Sequence, residues 1–257
     1  MKTLLGKLLF VFSRRILSFF YYDITLSRAN TEFPDLGIVE KELIRKIQHK
    51  GLTMTSFESL CVLAASCKYV IKAGIKGDFV ETGVWRGGSS ILAAKLLTDN
   101  RSIHLFDTFE GMPEPGKEDF RIGEEDASLT QAKWERLKTD SGSHWVRSPI
   151  NEVKKNFKDF AVEKSRLHFV VGMVEETSVS HPIDTISILR IDTDFYSSTK
   201  SALCEFWPKL NTRGVLILDD YAHWDGARKA IDEYFQDKSV LMLPIPNGGG
   251  RIVIKQE

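Results

Sequence analysis

From Gly77 onward, apolar and polar positions alternate in blocks that read as strand, helix, strand, helix. Short apolar runs fall near residues 79–82, 102–106, 167–171, 187–191, 215–218, 240–243 and 251–254. Between them, residues 89–97, 128–139, 151–160, 198–210 and 226–236 read as helices. Strands that alternate with helices predict a parallel sheet covered on both faces. The last two strands differ. Only PIPNGGG, residues 244–250, separates them. That is too short for a helical crossover, so the last strand should pair antiparallel. The expected fold is α/β, with six parallel strands and one antiparallel strand.

Upstream of Gly77 the pattern is helical. Residues 57–71 place Leu60, Leu63, Ala64, Cys67, Val70 and Ile71 on one side, and Ser56 is placed to cap that helix. Residues 35–49 form a shorter helix, and LTMTS, 52–56, is a polar link. Residues 1–22 carry leucines and phenylalanines at helical spacing, broken by Lys2, Lys7, Arg14 and Arg15 and free of acids. Lys7 interrupts the apolar run and no small-residue cleavage site follows, so this is not a good signal peptide. Such a basic amphipathic helix can pack on the domain or on a partner subunit. It can also lie on an anionic membrane surface, or cover an active site. The expected organisation is a helical arm over 1–50 and one domain over 51–257.

Composition narrows the class. The chain has 257 residues, 42% hydrophobic and 27% charged, with a formal net charge of zero. A global positive field for nucleic acid is therefore absent. Three cysteines without a C-x-x-C spacing read as reduced, buried thiols of a cytoplasmic protein. No apolar run reaches the roughly 18 residues of a membrane span.

The chemistry-bearing stretch is 188–224, ILRIDTDFYSSTKSALCEFWPKLNTRGVLILDDYAHW. Its two strands end in carboxylates, Asp192 and Asp194 after the first, Asp219 and Asp220 after the second. Parallel strands joined by a helix leave their carboxyl ends side by side, so these acids gather at one mouth of the sheet. Clustered like charges imply a bound cation. The first strand ends in ETGVWRGGSS, where Gly83, Gly87 and Gly88 let the backbone pass close to a ligand. Ser89 opens the following helix, whose free amides favour a negative group. Glu81 suits a ligand with cationic character. The second strand ends in Asp107, which can accept ribose hydroxyls, followed by Thr108 and by Phe109, which could stack on a base or enter the core. Residues 111–126, rich in Gly, Pro and acids, read as a lid, a binding loop or a solvated face. Trp85 and Trp224 lie close enough to the mouth to line a pocket.

ETGVWRGGSS, FDTFEGMP, IDTDFYSST, GVLILDDYAHWDGARKAIDEYF and the terminal GRIVIK occur in order and together resemble the macrocin O-methyltransferase (TylF-type) family. The resemblance runs from about Leu52 to Lys255. It implies a Rossmann-like class I methyltransferase sheet, S-adenosylmethionine as methyl donor, Mg²⁺, and a sugar hydroxyl as acceptor. Carried over, Asp192, Asp219 and Asp220 would hold the metal. Glu81, Gly83 and Asp107 would hold the cofactor, with Met54 and Thr55 covering it. Asp192 could double as the base, and His223 is a further candidate for base or substrate contact. Asp194 should point to the opposite face if the strand continues. With no Cys and only His223 nearby, zinc is not expected.

Two other readings stay open: a nicotinamide-linked oxidoreductase, disfavoured by the missing G-x-G-x-x-G, and a non-catalytic membrane-surface protein with a retained pocket. The acceptor, a small molecule or glycan, has no readable code. A homo-oligomer is the default for such enzymes.

Overall fold

In the computed structural model, residues 33–256 are described, and the amphipathic segment 1–22 lies outside them. The chain divides by its contacts into Met1–Ile38 and Val39–Glu257, and the sheet belongs to the second unit. The strands are β1 (Asp78–Thr82), β2 (Ile103–Asp107), β3 (Leu167–Val171), β4 (Ile186–Ile191), β5 (Leu210–Leu218), β6 (Leu243–Pro244) and β7 (Arg251–Ile254). They form one sheet in the order β3-β2-β1-β4-β5-β7-β6. β1 to β5 run parallel, and β7 is antiparallel to both β5 and β6. The expected six-plus-one sheet is therefore present. β1 and β4 are neighbours although two strands lie between them in sequence, so the chain direction across the sheet reverses there. Ligands of open α/β sheets bind at that switch point, at the carboxyl ends of the strands.

The helices are α1 (Ile38–His49), α2 (Phe57–Lys72), α3 (Gly88–Leu96), α4 (Ser128–Leu137), α5 (Ile150–Asp159), α6 (Val174–Ser180), α7 (Tyr196–Phe206) and α8 (Asp225–Phe235). Ser56 caps α2 as expected, its hydroxyl accepting the Ser59 N–H at 3.1 Å. One core joins β4 and β5 to α7 and α8 through Leu189, Leu203, Phe206, Leu216 and Ile231, all buried. β4 is buried along its whole length, as a central parallel strand should be. No helix among the described residues is long and apolar enough to cross a membrane.

Three details differ from the sequence expectation. α6 was not anticipated, because VEETSVS is short, polar and rich in β-branched residues. β6 is only two residues and begins where the expected strand would have ended. α7 stops at Phe206, and β5 starts at Leu210 with a left-handed Arg213 (φ 64°) inside it.

Between β2 and β3 the chain makes a long excursion with a closed neck. Met112 N–H bonds the Trp145 carbonyl at 2.9 Å, and Ser143 N–H bonds the Glu110 carbonyl at 2.8 Å. Gly111 sits at φ 90°, where a Cβ would lie 2.1 Å from the Ser143 oxygen, so only glycine fits. Asp119 anchors the far part. Buried, it accepts the Gly116 N–H at 2.7 Å and the Tyr196 N–H at the start of α7 at 2.7 Å. Ile122 N–H bonds the His223 carbonyl at 3.1 Å, and Asp225 N–H bonds the Phe120 carbonyl at 2.9 Å.

At the amino end of the sheet, β2 and β3 place His104 and His168 in register, their rings stacked at 4.7 Å. His181, just after α6, lies with Nε2 2.9 Å from His104 Nδ1, and His104 Nε2 is 3.1 Å from Asp78 Oδ2. Burial, then the neighbouring imidazoles, holds His168 and His181 below the usual histidine range.

Candidate active site

The carboxyl ends of β1, β2, β4 and β5 are bound to one another where the strands finish. Gly83 N–H bonds the Phe106 carbonyl at 2.9 Å, Asp192 N–H the Thr82 carbonyl at 2.9 Å, and Asp219 N–H the Ile191 carbonyl at 3.0 Å. Gly83 (φ 82°) packs so closely that a Cβ would stand 1.8 Å from the Asp192 carbonyl oxygen. Asp107 fastens the turn after β1. Its Oδ2 accepts the Val84 and Trp85 N–H groups at 2.7 and 2.9 Å, and its Oδ1 accepts Phe109 N–H at 2.7 Å. Burial still pushes the Asp107 carboxyl above its usual range.

The acids meet as the topology requires. One carboxylate oxygen from each of Asp192, Asp219 and Asp220 lies within 4.8 Å of the others. Asp194 joins them. The strand has ended, Asp194 sits at φ 63°, and its N–H bonds Asp220 Oδ2 at 3.1 Å. The expectation that it faces away fails because the chain turns instead of continuing as strand. Burial, with the neighbouring acids, pushes Asp194 and Asp219 up to about 7 and Asp220 well above the carboxylate range.

Arg190 is the cation built into this cluster. It is 1% exposed and reaches Glu81 Oε1 and Asp192 Oδ2, each at 2.6 Å, Thr55 Oγ1 at 3.0 Å, and Asp219 Oδ1 at 3.0 Å. Asp219 Oδ1 is buried and, despite that proximity, has no hydrogen bond of proper geometry. An orphaned carboxylate oxygen beside two further acids is a donor set of hard oxygens, which suits Mg²⁺ and not zinc.

A cavity opens over the strand ends. Its wall includes Met54, Gly83, Trp85, Asp107, Thr108 and Asp192 from the sequence expectation. Glu81 is not on that wall. Fully buried, it accepts from Ser89 Oγ at 2.5 Å, from Ser90 Oγ and from Arg190, so it secures the site from behind. Thr55 and Ser89 act through Arg190 and Glu81 in the same way, and Gly87 turns the chain over Phe157. Phe109 stacks on no ligand surface. Its backbone is left-handed (φ 56°), and its ring is buried, 6.1 Å from Phe169. His223 is exposed. Its N–H bonds the Asp220 carbonyl at 2.9 Å, and its ring lies against the Gly249 backbone.

Sequence reasoning missed the wall after β3, formed by Gly172, Met173, Val174 and Glu175, and it missed Val146; Met112 and Pro113, also on the wall, belong to the stretch 111–126 expected as a lid, a binding loop or a solvated face. The first had a signal: β3 neighbours β2, so its carboxyl end had to face the same mouth.

Comparison with known proteins agrees with this geometry. The family model of macrocin O-methyltransferase (TylF) matches residues 28–247. This chain belongs to that family. It is an S-adenosylmethionine-dependent O-methyltransferase. It is 34% identical over 186 residues to the 8-demethyl-8-(2,3-dimethoxy-alpha-L-rhamnosyl)-tetracenomycin-C 4'-O-methyltransferase of Streptomyces olivaceus, covering 71% of this chain and 67% of that protein. It is 32% identical, with the same coverage, to the demethyldecarbamoylnovobiocin O-methyltransferase of Streptomyces niveus. Among solved structures, the O-methyltransferase NovP superposes with a TM-score of 0.70 at 29% identity, covering 80% of this chain and 82% of its own. The S-adenosylhomocysteine-bound methyltransferase PaMTH1 of Podospora anserina shares the fold at 12% identity, with a TM-score of 0.53 and coverage of 91% and 96%.

Proposed function

We propose that this enzyme methylates a hydroxyl of a sugar or glycosylated small molecule, with Asp192, Asp219 and Asp220 holding Mg²⁺. The observation that carries the reading is the convergence of three carboxylate oxygens within 4.8 Å at the edge of the cofactor cavity. The curated relatives support the acceptor class, since one is named for a rhamnosyl tetracenomycin and another for mycinamicin III. Asp107 and Gly83 line the cavity, which supports a reading in which Asp107 accepts the ribose hydroxyls and the Gly83 turn lets the donor approach the backbone. S-adenosylmethionine supplies an electrophilic methyl group, and bound Mg²⁺ supplies a lowered pKa for a chelated hydroxyl.

The residues of this chain do the rest. Asp192 lines the cavity and is held by Arg190, so it is positioned to take the hydroxyl proton. Arg190 fixes Asp192 and Asp219 relative to each other, which is orientation set before substrate arrives. Methyl transfer to neutral rhamnosides and to nucleotide-linked sugars, followed by mass spectrometry with a Mg²⁺ titration, tests the reading. Activity that persists undiminished in excess EDTA would remove the metal from it. Product on a non-sugar acceptor alone would remove the sugar.

A further inference from the structure

The excursion between β2 and β3 brings two cations to the side of the cavity. Trp145 and Trp224 lie 6.0 Å apart between ring centroids, and Phe195 lies 6.1 and 5.3 Å from them. Together with Met112 and Ala227 they form a small core separate from that of the sheet. This core backs directly onto the cavity, because Met112 itself, Val146 beside Trp145, and Asp194 beside Phe195 are on its wall. Arg121 lies on the Trp224 ring with its guanidinium carbon 4.2 Å from the centroid. Lys133, on α4, lies on the Trp145 ring with Nζ 3.8 Å from the centroid. An antiparallel backbone bridge between Arg121 and Trp224 fixes the first of these contacts.

Neither charged group has a carboxylate within ion-pair distance or a hydrogen bond among the described residues. The surrounding loop is acidic, yet several of its acids are engaged elsewhere. Glu118 pairs with Lys117 and Lys229, and Asp119 takes two backbone N–H groups. Glu124 takes the Arg121 backbone N–H, and Asp126 takes that of Ser128. The two cations stand close enough to feel each other and Asp194. Burial, then Arg121, holds Lys133 below its usual range against the pull of Asp194, and Arg121 in turn draws Asp194 down. Two neighbouring cations, held in place by aromatic faces with no acid in ion-pair contact, are an arrangement that an anion completes.

We propose that Arg121 and Lys133 form a phosphoryl subsite, and that the acceptor is a sugar carrying a phosphate or diphosphate, as in a nucleoside diphosphate sugar. A guanidinium fork beside an ammonium point charge offers one partner to each phosphoryl group of a diphosphate. Anchored there, the sugar is held beside Asp194 and the acid cluster. This rests on the reading of the site as a sugar O-methyltransferase, and names the form in which the sugar arrives.

The test is calorimetry on the full chain saturated with S-adenosylhomocysteine, with pyrophosphate, UDP-glucose and methyl α-glucoside as probes. Pyrophosphate and UDP-glucose are expected to bind at least tenfold more tightly than the neutral glycoside, and to weaken as salt is raised. UDP-glucose tighter than pyrophosphate assigns the subsite to a sugar diphosphate. Equal affinity for the two assigns it to the phosphoryl group alone and overturns the sugar part. Arg121→Gln and Lys133→Met, which keep the bulk over the tryptophans, are each expected to lose at least tenfold for UDP-glucose. Their affinity for S-adenosylhomocysteine should stay within twofold, and Lys138→Met, altering the cation over Trp134, should change neither. UDP-glucose binding that is absent, or unchanged in the Arg121→Gln/Lys133→Met double variant, overturns the proposal. Failure of the wild type to bind S-adenosylhomocysteine would fall on the methyltransferase reading itself.

Discussion

Replacing Arg190 with methionine isolates the cost of the buried charge on which the site is built. Three carboxylates lean on this guanidinium, but not equally. Asp192 and Asp219 side chains are 26% and 13% exposed, so water can take over part of their solvation, whereas Glu81 is 0% exposed. Removing one partner of a buried pair leaves an uncompensated charge and costs about 3–5 kcal/mol. That is a large part of the roughly 5–15 kcal/mol available to a domain.

The pH dependence gives the sign. Burial already pushes Glu81 above the usual glutamate range, against the pull of Arg190 and the two serine hydroxyls. Without Arg190 it rises further, while the unfolded chain titrates near about 4.3. Between those values the folded variant binds the extra proton, so its stability is full below the unfolded value and falls as pH rises. Urea unfolding should therefore show a larger deficit for Arg190→Met at pH 8 than at pH 5.5. Adding Glu81→Gln should recover at least about 2 kcal/mol, since a neutral pair carries no buried charge. A single variant within about 1 kcal/mol of wild type at pH 8, or a deficit independent of pH, would refute the account of Arg190 and Glu81.

Gly83→Ala should cost about 3 kcal/mol or more and abolish S-adenosylhomocysteine binding, because its Cβ would meet the Asp192 backbone at 1.8 Å and φ is 82°. Thermal unfolding and calorimetry read both effects. Asp220→Asn should raise the melting temperature of the metal-free protein, by relieving repulsion among buried acids, while removing both methyl transfer and any thermal shift on adding Mg²⁺. His168 and His181 titrate in the fold below the unfolded value of about 6.5, so the unfolded chain takes up protons first as pH falls. Stability should accordingly drop as pH is lowered through and below about 6.5, and His181→Phe should flatten that slope in melting curves recorded from pH 8 to pH 5.

Much of this was legible in the chain because parallel sheets expose their logic in sequence. Uninterrupted apolar runs marked the strands, and the parallel pairing of two strands joined by one helix brought Asp192, Asp219 and Asp220 to one place without further information. What stayed hidden depended on single backbone angles or on long-range contacts. Asp194 and Phe109 both adopt positive φ, which sends the first into the acid cluster and the second into the core. No hydrophobic period records such a turn. The pairing of Arg121 and Lys133 with Trp224 and Trp145 links a loop, α4, the neck and α8, in a polar stretch whose contacts no local pattern encodes. The depth of Glu81 behind two serines was not legible either.

The neck at Met112 and Trp145 has a consequence for how such an enzyme changes its acceptor. The acid cluster and the glycine turn proposed to serve the methyl donor, Gly83, Asp107, Asp192, Asp219 and Asp220, sit at strand ends. Met112, Arg121, Lys133 and Val146 are all carried by one continuous stretch whose two ends are already bonded together. That stretch behaves as an interchangeable part. A graft of residues 112–146 from a relative, joined where the neck closes, is expected to change acceptor specificity while the strand ends proposed to hold methyl donor and base stay as they are.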